Sequence, residues 1–205
     1  MTGRLGKVAG GVCAMAWLGL AVLNATSVVP PTFEEMVDRA DMVFVGKVIG
    51  SNAAWRTVGT NQVIFTQVEF EAQEVLKGKA GKAVTLQFLG GTVGDVTLEV
   101  ADVPKFGAGD HVLLFVEGNG VQFCPLVGVF HGKFGLRKDE QSGREIVLMH
   151  DGRPLRDVKK IGRGGGQDPA SKAAQLSSLP AGDPIAATEF KERIRAQVAK
   201  RAARE

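Results

Sequence analysis

The chain of 205 residues is poor in several residue types that carry chemistry or covalent stability. It contains no tyrosine, two tryptophans, three histidines and two cysteines. The histidines show no HExxH or His-x-His spacing and the cysteines no CxxC spacing, so a sequence-local zinc motif is excluded. The 27 glycines show no Gly-X-Y period, which excludes collagen. Only one hydrophobic run approaches the length of a membrane span, and it lies at the N-terminus.

What the chain does contain is ordinary for a globular protein. Hydrophobic residues make up 44% and charged residues 23% of the sequence, so a largely disordered chain is not expected. A length of 205 residues fits one domain with appendages. No segment repeats at a fixed period.

The N-terminus has the layout of a secretory signal peptide. Two basic residues precede an uncharged run at residues 8–23, and small residues follow it. We therefore predict a signal peptide over residues 1–27, cleavage before Val28, and export to the periplasm or the extracellular space. The alternative is that residues 8–23 remain as an anchor in the inner membrane.

Export would leave a single cysteine in the mature chain, Cys124. The mature domain then cannot form an internal disulfide, and its stability must come from its hydrophobic core. Cys124 lies between Phe123 and Pro125, and we interpret it as a small buried hydrophobic residue rather than a nucleophile.

Charge divides the mature chain into three parts. Residues 28–152 carry 11 basic and 16 acidic side chains and are predicted to form the folded domain. Residues 153–187 begin with a basic, glycine-rich stretch and are predicted to be a linker. Residues 188–205 carry six basic and three acidic side chains. Because the folded part is acidic and the chain is predicted to be exported, nucleic-acid binding is not expected.

The folded part opens with a short helix and continues with strands. Thr32 and Glu35 form a capping-box pattern that predicts a helix ending near Asp41. The period of the hydrophobic residues then changes from helical to two, which indicates β-strands. The glycines at Gly90–Gly94 are predicted to form a turn. The predicted strands are 42–48, 62–76, 83–89, 96–100, 111–116, 121–129, 130–137 and 145–149.

Many short strands behind one small helix predict a mainly β fold, a small antiparallel barrel in preference to an open sandwich. The C-terminal segment 188–205 is predicted to be an amphipathic helix, since Phe190, Ile194 and Val198 recur every four residues. Three large apolar side chains give little area for docking. We therefore expect a tail that is mobile or in loose contact, and a chain ending near Pro154 that folds alone.

Five segments carry a resemblance: DMVFVGKVIGS, VEFEAQEVLKG, VTLQFLGGTVG, VPKFGAGDHVLLFV and VGVFHGKFGL. Together they resemble an uncharacterised bacterial exported domain over residues 32–137. The first two segments are also similar, more loosely, to the netrin-like domain of tissue inhibitors of metalloproteinases. The resemblance implies an OB-type barrel. Those inhibitors act through a disulfide-tied N-terminal cysteine that this chain lacks, so their activity is not implied.

No sequence motif identifies a catalytic, cofactor or metal site. No serine lies in a GxSxG elbow, and the glycines after residue 89 lack the lysine of a phosphate-binding loop. The leading hypothesis is therefore a non-enzymatic exported module that binds a protein or envelope partner. The alternative is an enzyme or protease-associated factor with a site assembled from Asp110, His111 and His131. A structural envelope protein tethered by its N-terminal segment is a third possibility. His131 and His150 are otherwise predicted to be half-exposed strand residues.

Overall fold

The structure is a computed structural model that describes residues 30–161 and 182–204. The predicted signal peptide, the possible anchor at residues 8–23 and much of the predicted linker lie outside these residues. The helices are α1 (Phe33–Arg39) and α2 (Ala187–Ala202), with 3₁₀ helices at Val129–Gly132 and Val158–Lys160. The strands are β1 (Met42–Val58), β2 (Asn61–Lys77), β3 (Ala83–Leu89), β4 (Gly91–Val93), β5 (Val96–Leu98), β6 (His111–Val116), β7 (Lys133–Lys138) and β8 (Glu145–Leu148).

Six of the strands form one antiparallel sheet in the order β3-β2-β1-β6-β7-β8. The mainly β class is thus confirmed, but the sheet does not close into a barrel, and the barrel prediction is wrong. The outer strands β3 and β8 are not neighbours in the sheet. β4 and β5 form a separate small hairpin, so part of the predicted turn Gly90–Gly94 is a strand.

The predicted strand 121–129 does not form. The segment pairs with β6 at one isolated bridge, between Val116 and Leu126. Gly118 and Gly120 just before the segment are in the left-handed region, and so are its last two residues, Gly128 and Val129, with φ values of 63° and 60°. Successive left-handed residues bend the chain away from the extended conformation that a strand requires. The 3₁₀ helix at Val129–Gly132 likewise replaces the start of the predicted strand 130–137.

β1 is much longer than predicted. It continues beyond Val48 to Val58 and pairs with β2 along its whole length, while its pairing with β6 ends at Lys47. A β-bulge at Ile49 marks the point beyond which β1 pairs with β2 alone. We call residues 49–58 of β1 with residues 61–68 of β2 the upper ribbon, and the rest of the six-stranded sheet the lower sheet.

Side chains from both faces of the lower sheet are buried. Val43 and Val45 face a core that α1 and α2 cover, the helix-side core, whereas Phe44 and Val48 belong to a second core on the opposite face. The segment between β5 and β6 covers this second core, the loop-side core. Its Phe106 ring packs edge-on against Phe70, with ring centres 5.3 Å apart. Both the odd-numbered and the even-numbered strand residues are therefore apolar here, as expected for a sheet that is buried on two faces.

The two helices belong to the helix-side core. The predicted capping box of α1 is present, with the Thr32 and Glu35 side chains each accepting a hydrogen bond from the other residue's main-chain N–H. Phe190 and Ile194 of α2 are fully buried, each with 0% exposure, and Val198 packs against the same core. The expectation of a loosely attached tail is therefore wrong. The spacing of these apolar residues predicted the helix, but it did not reveal the surface that they meet.

Part of the predicted linker belongs to the same core. Leu155, Val158 and Ile161 are buried there, and so is Ile185, just before α2. The Ile185 carbonyl accepts a hydrogen bond from the Val147 N–H, and so this segment runs beside β8. The basic residues near this segment had predicted a solvated joint, but the apolar residues between them are large enough to fill the core.

Polar contacts also attach α2 to the sheet. Lys191 Nζ lies 2.8 Å from Glu74 Oε2 of β2, and the Arg195 guanidinium donates to the other carboxylate oxygen. Burial opposes ionisation of Glu74, but the hydrogen bonds and charges of these two cations outweigh it and lower the pKa of its carboxyl. Gln197 Nε2 donates to Asp38 of α1 over 3.1 Å. The tail helix is thus tied to residues more than 100 positions earlier in the chain.

Candidate functional site

The structure gives the three predicted site residues different partners. Asp110 accepts a hydrogen bond from the Gly107 N–H, within the loop that leads into β6. His111 lies at the start of β6, and its Nδ1 is 3.0 Å from Glu145 Oε1 of β8. Its Nε2 atom is buried and has no hydrogen-bond partner among the described residues. The contacts of Asp110, His111 and His131 do not assemble the predicted joint site.

His131 instead belongs to a cluster of rings with Phe130 and His150. Its ring centre lies 4.2 Å from that of Phe130 and 5.5 Å from that of His150. His131 is buried, with 6% exposure, and sits in a 3₁₀ helix, so its prediction as a half-exposed strand residue is wrong. We call these three side chains the histidine cluster. Its two histidines flank the β7–β8 hairpin, a signal that could have predicted their proximity.

Burial and repulsion keep the histidine cluster neutral at physiological pH. Burial, with a smaller contribution from His150, lowers the pKa of His131 to about 4, while the charge of Asp102 opposes the shift. The pKa of His150 is also lowered, chiefly by burial, against the attraction of Asp151. A general base works best when its pKa lies near the working pH. An imidazole with a pKa of about 4 is a weak base, and this chemistry favours packing or binding over proton transfer.

The histidine cluster borders a cavity of about 270 Å³. Asp102, Lys105 and Lys133 also line it, and the Lys133 ammonium is 4.4 Å from the centre of the Phe106 ring. Lys133 also donates to the Lys105 carbonyl over 2.6 Å, and burial lowers the pKa of its ammonium. Within the described residues, no three His, Cys, Asp or Glu side chains are arranged to hold a metal ion.

Two residues around this cavity have left-handed backbone conformations. Val129 has a φ of 60° and Asp102 a φ of 65°, and they are the non-glycine residues with positive φ in the described ranges. The left-handed conformation is ordinary for an aspartate but strained for a β-branched valine. Such strain costs about 1–3 kcal/mol and persists when the surrounding packing fixes it. Val129 directly precedes Phe130 and His131, the first two residues of the histidine cluster.

The upper ribbon is the second candidate site, and the sequence analysis missed it. Its segment from residue 49 to residue 68 contains one charged residue, Arg56, although 23% of the whole chain is charged. Trp55 is 46% exposed on one face. Val58 is exposed on the other, where the Arg56 guanidinium lies over the Phe65 ring. The low charge of this stretch was the sequence signal that could have revealed it.

A groove of about 740 Å³ joins the upper ribbon to the histidine-cluster cavity. It runs between the ribbon and the β4–β5 hairpin, with Thr66, Phe88 and Phe106 among its lining residues. The Thr66 hydroxyl donates to the Gly90 carbonyl over 2.7 Å and fixes the start of that hairpin. Asp102 borders both the groove and the cavity, so the two candidate sites lie on one side of the molecule.

Comparisons of the chain with protein-family models, with curated proteins and with solved structures gave no match. The similarity to the netrin-like domain therefore stays a prediction. Among the described residues, no helix is both long and apolar enough to span a bilayer.

Proposed function

We propose that this protein is an exported, non-enzymatic binding module of the bacterial cell envelope and that it binds its partner through the upper ribbon. The observation that carries the proposal is the exposed tryptophan at position 55 in a stretch with one charge. Tryptophan is enriched among the residues that dominate binding energy in protein interfaces. The depletion of charge is likewise typical of the centre of an interface.

The physical cost of this surface supports a binding role. Exposed apolar strands promote aggregation, and proteins usually protect them with lysine, proline or a covering segment. The one charged group of the upper ribbon does not protect its edge, because the Arg56 guanidinium donates a hydrogen bond to Gln87 of β3. A surface that is costly to expose and is left without charged protection is best explained by a partner.

Export is the second part of the proposal and rests on the N-terminal sequence. We expect the mature protein to begin at Val28, because the small residues before it fit a signal-peptidase site. N-terminal sequencing of the protein from exporting cells tests this. A full-length product in the cytoplasm contradicts export, and a full-length product in the membrane supports the alternative of an anchor at residues 8–23.

Site-specific photo-crosslinking in intact cells tests the binding surface. A photoreactive amino acid is placed at position 55 in the upper ribbon or, as a control, at position 121, where the native valine is 89% exposed in a different loop. We expect position 55 to give a discrete adduct with a second, different protein and position 121 to give none. Equal adducts at the two positions, or adducts at position 55 with copies of this chain alone, contradict the proposal.

The neutral histidine cluster weighs against the enzymatic alternative. The pKa of its His131 is about 4, and the His131 ring packs against the rings of Phe130 and His150. A neutral imidazole packed against other rings suits a packing role better than general-base catalysis, and we assign the binding role to the ribbon.

A further inference from the structure

The two outer edges of the six-stranded sheet are covered by the chain itself. At β3, the Asn119 side chain accepts from the Gln87 N–H over 3.1 Å and donates to the Thr85 carbonyl over 2.9 Å. The Phe123 carbonyl accepts a hydrogen bond from the Leu89 N–H. At β8, the Val147 N–H donates to Ile185 and its carbonyl accepts from Leu155. Both edges are thus closed to a strand from another molecule.

The upper part of β1 is a third edge of the sheet, and its hydrogen bonding differs from that of the β3 and β8 edges. β6 pairs with β1 through Lys47, and main-chain hydrogen bonds from Gly109 and to Asp110 cover Val48. Beyond that point β1 has β2 on one side. On its other side, residues 49–58 make no main-chain hydrogen bond to any described residue. Alternate N–H and C=O groups along this edge are therefore available to an added strand.

The side chains along this open edge allow close approach by another strand. Ala53 and Ala54 lie at its centre, and Arg56 is the one charged residue. The guanidinium of Arg56 is turned toward Gln87 and the Phe65 ring, away from the edge. Neither a charge nor a proline protects the strand, although these are the usual protections of an exposed edge.

We propose that two copies of this chain pair through the open edges of β1, antiparallel and related by a two-fold axis at Ala54. This inference rests on the proposed function, since it uses the upper ribbon as an interaction surface. A two-fold contact uses the same patch on both copies and therefore covers both open edges at once. A peptide strand added to one copy would instead leave its own outer edge exposed.

The charge pattern of the strand fits this pairing. With the axis at Ala54, Arg56 of each copy lies opposite Asn52 of the other, so the two guanidinium groups do not face each other. The two Ala54 side chains lie directly opposite on the same face, where cross-strand neighbours are about 5 Å apart. The paired ribbons form a four-stranded surface, and Trp55 stays on its face for a different partner.

Sedimentation equilibrium of the whole protein, without any partner, tests the proposal. We expect the wild type to form a dimer at micromolar concentration. Ala54→Glu and Ala54→Lys each place two like charges opposite one another, and either change should raise the dissociation constant by about 100-fold or more. An equimolar mixture of the two variants should recover a dimer, because each pair then joins opposite charges. Val121→Glu is the matched control and should dimerise like the wild type.

Each other outcome overturns the proposal. A wild type that remains monomeric shows that the edge does not pair, and a dimer that survives either single substitution shows that another surface is used. A mixture that stays monomeric contradicts the register centred on Ala54. Recovery in the mixture also proves that the variants are folded. Since this assay contains no partner, its failure leaves the crosslinking test of the proposed function unaffected, and the reverse holds too.

Discussion

The lower sheet and the upper ribbon share the strands β1 and β2, but they differ in how far the side chains of these strands are buried. In the lower sheet both faces are buried, one under two helices and the other under the segment before β6. In the upper ribbon most side chains are exposed, and β1 presents an open edge. The change occurs at the Ile49 bulge, where β1 parts from β6.

The difference shows where stability and binding are located in this molecule. Segments from both ends of the described chain cover the lower sheet, including Phe33 of α1 and Phe190 of α2, whose ring centres are 5.7 Å apart. The β4–β5 hairpin packs on one face of the ribbon near Ala53, but no described segment makes main-chain hydrogen bonds to the outer side of residues 49–58. Substitutions in the lower sheet should therefore change the free energy of unfolding, and substitutions in the ribbon should change association.

The largest expected effect is on the helix-side core. Phe190→Ala removes a fully buried ring that packs against Phe115 and Phe134, and it should lower the free energy of unfolding by about 3–5 kcal/mol. Trp55→Ala, the matched change in the ribbon, should lower the free energy of unfolding of the monomer by less, about 1–2 kcal/mol, because this side chain is already 46% exposed. Urea unfolding at a concentration that keeps the protein monomeric measures both values. Equal losses would remove the distinction between the two regions.

The next effect is a pH dependence located in the body of the domain. Because the pKa of His131 is about 4 when folded and near 6.5 when unfolded, the unfolded chain binds more protons between these values. Stability should be complete above pH 6.5 and fall as the pH drops toward 4, by up to about 1.4 kcal/mol per pH unit for this group. His131→Gln should flatten the dependence. Unfolding at pH 7.5 and pH 5 tests it, and an unchanged slope in the variant would contradict the assignment.

A smaller effect is expected at the covered edge of β3. Asn119→Ala removes two hydrogen bonds to main-chain groups and should cost about 1 kcal/mol. It should also increase aggregation, because it uncovers an edge strand. Asn52→Ala in the upper ribbon is the control, since that asparagine lies beside an edge that is already open. Light scattering and urea unfolding measure the two effects, and equal behaviour of the variants would show that Asn119 does not protect the edge.

The smallest expected effect concerns Cys124 in the loop-side core. Burial raises the pKa of its thiol to about 12, against a hydrogen bond from the main chain of Leu126, so the reactive thiolate is scarce at neutral pH. A thiol reagent should label it when the protein is unfolded and hardly at all when it is folded. Reductant should leave the Tm of the monomer unchanged. Rapid labelling of the folded protein would show that this core opens.

Features set by neighbouring residues were predictable from the sequence. The capping box at Thr32 and the strands of β3 and β6 depend on residues within a few positions, and they are present as expected. The prediction of a strand over residues 121–129 was wrong, because alternation of apolar residues does not reveal the left-handed residues that bend this segment. Closure of a barrel would require β3 and β8 to pair, a contact between distant residues that alternation along single strands does not indicate.

Features set by distant residues were not predictable. The partner of α2 includes Glu74, 117 positions before Lys191, and nothing near either residue indicates the contact. Strand 62–76 was predicted and covers most of the β2 half of the upper ribbon. Residues 49–58 of the β1 half were missed for a different reason, since they do not alternate between apolar and polar as a half-buried strand does. His131 and His150 come together because a hairpin lies between them, a signal that required the correct bounds of β7 and β8.

Hydrogen exchange at two protein concentrations tests most directly whether the ribbon is the open, associating part of the molecule. Those main-chain amides of residues 49–58 that point to the open edge should exchange slowly at high concentration and faster on dilution. The amides of this segment that bond to β2, and those of β3 and β8, should exchange at the same rate in both. Ala54→Glu should show the fast pattern in residues 49–58 at either concentration. If the protection of this segment in the wild type does not depend on concentration, the claim that residues 49–58 form an open edge that pairs with another molecule is contradicted.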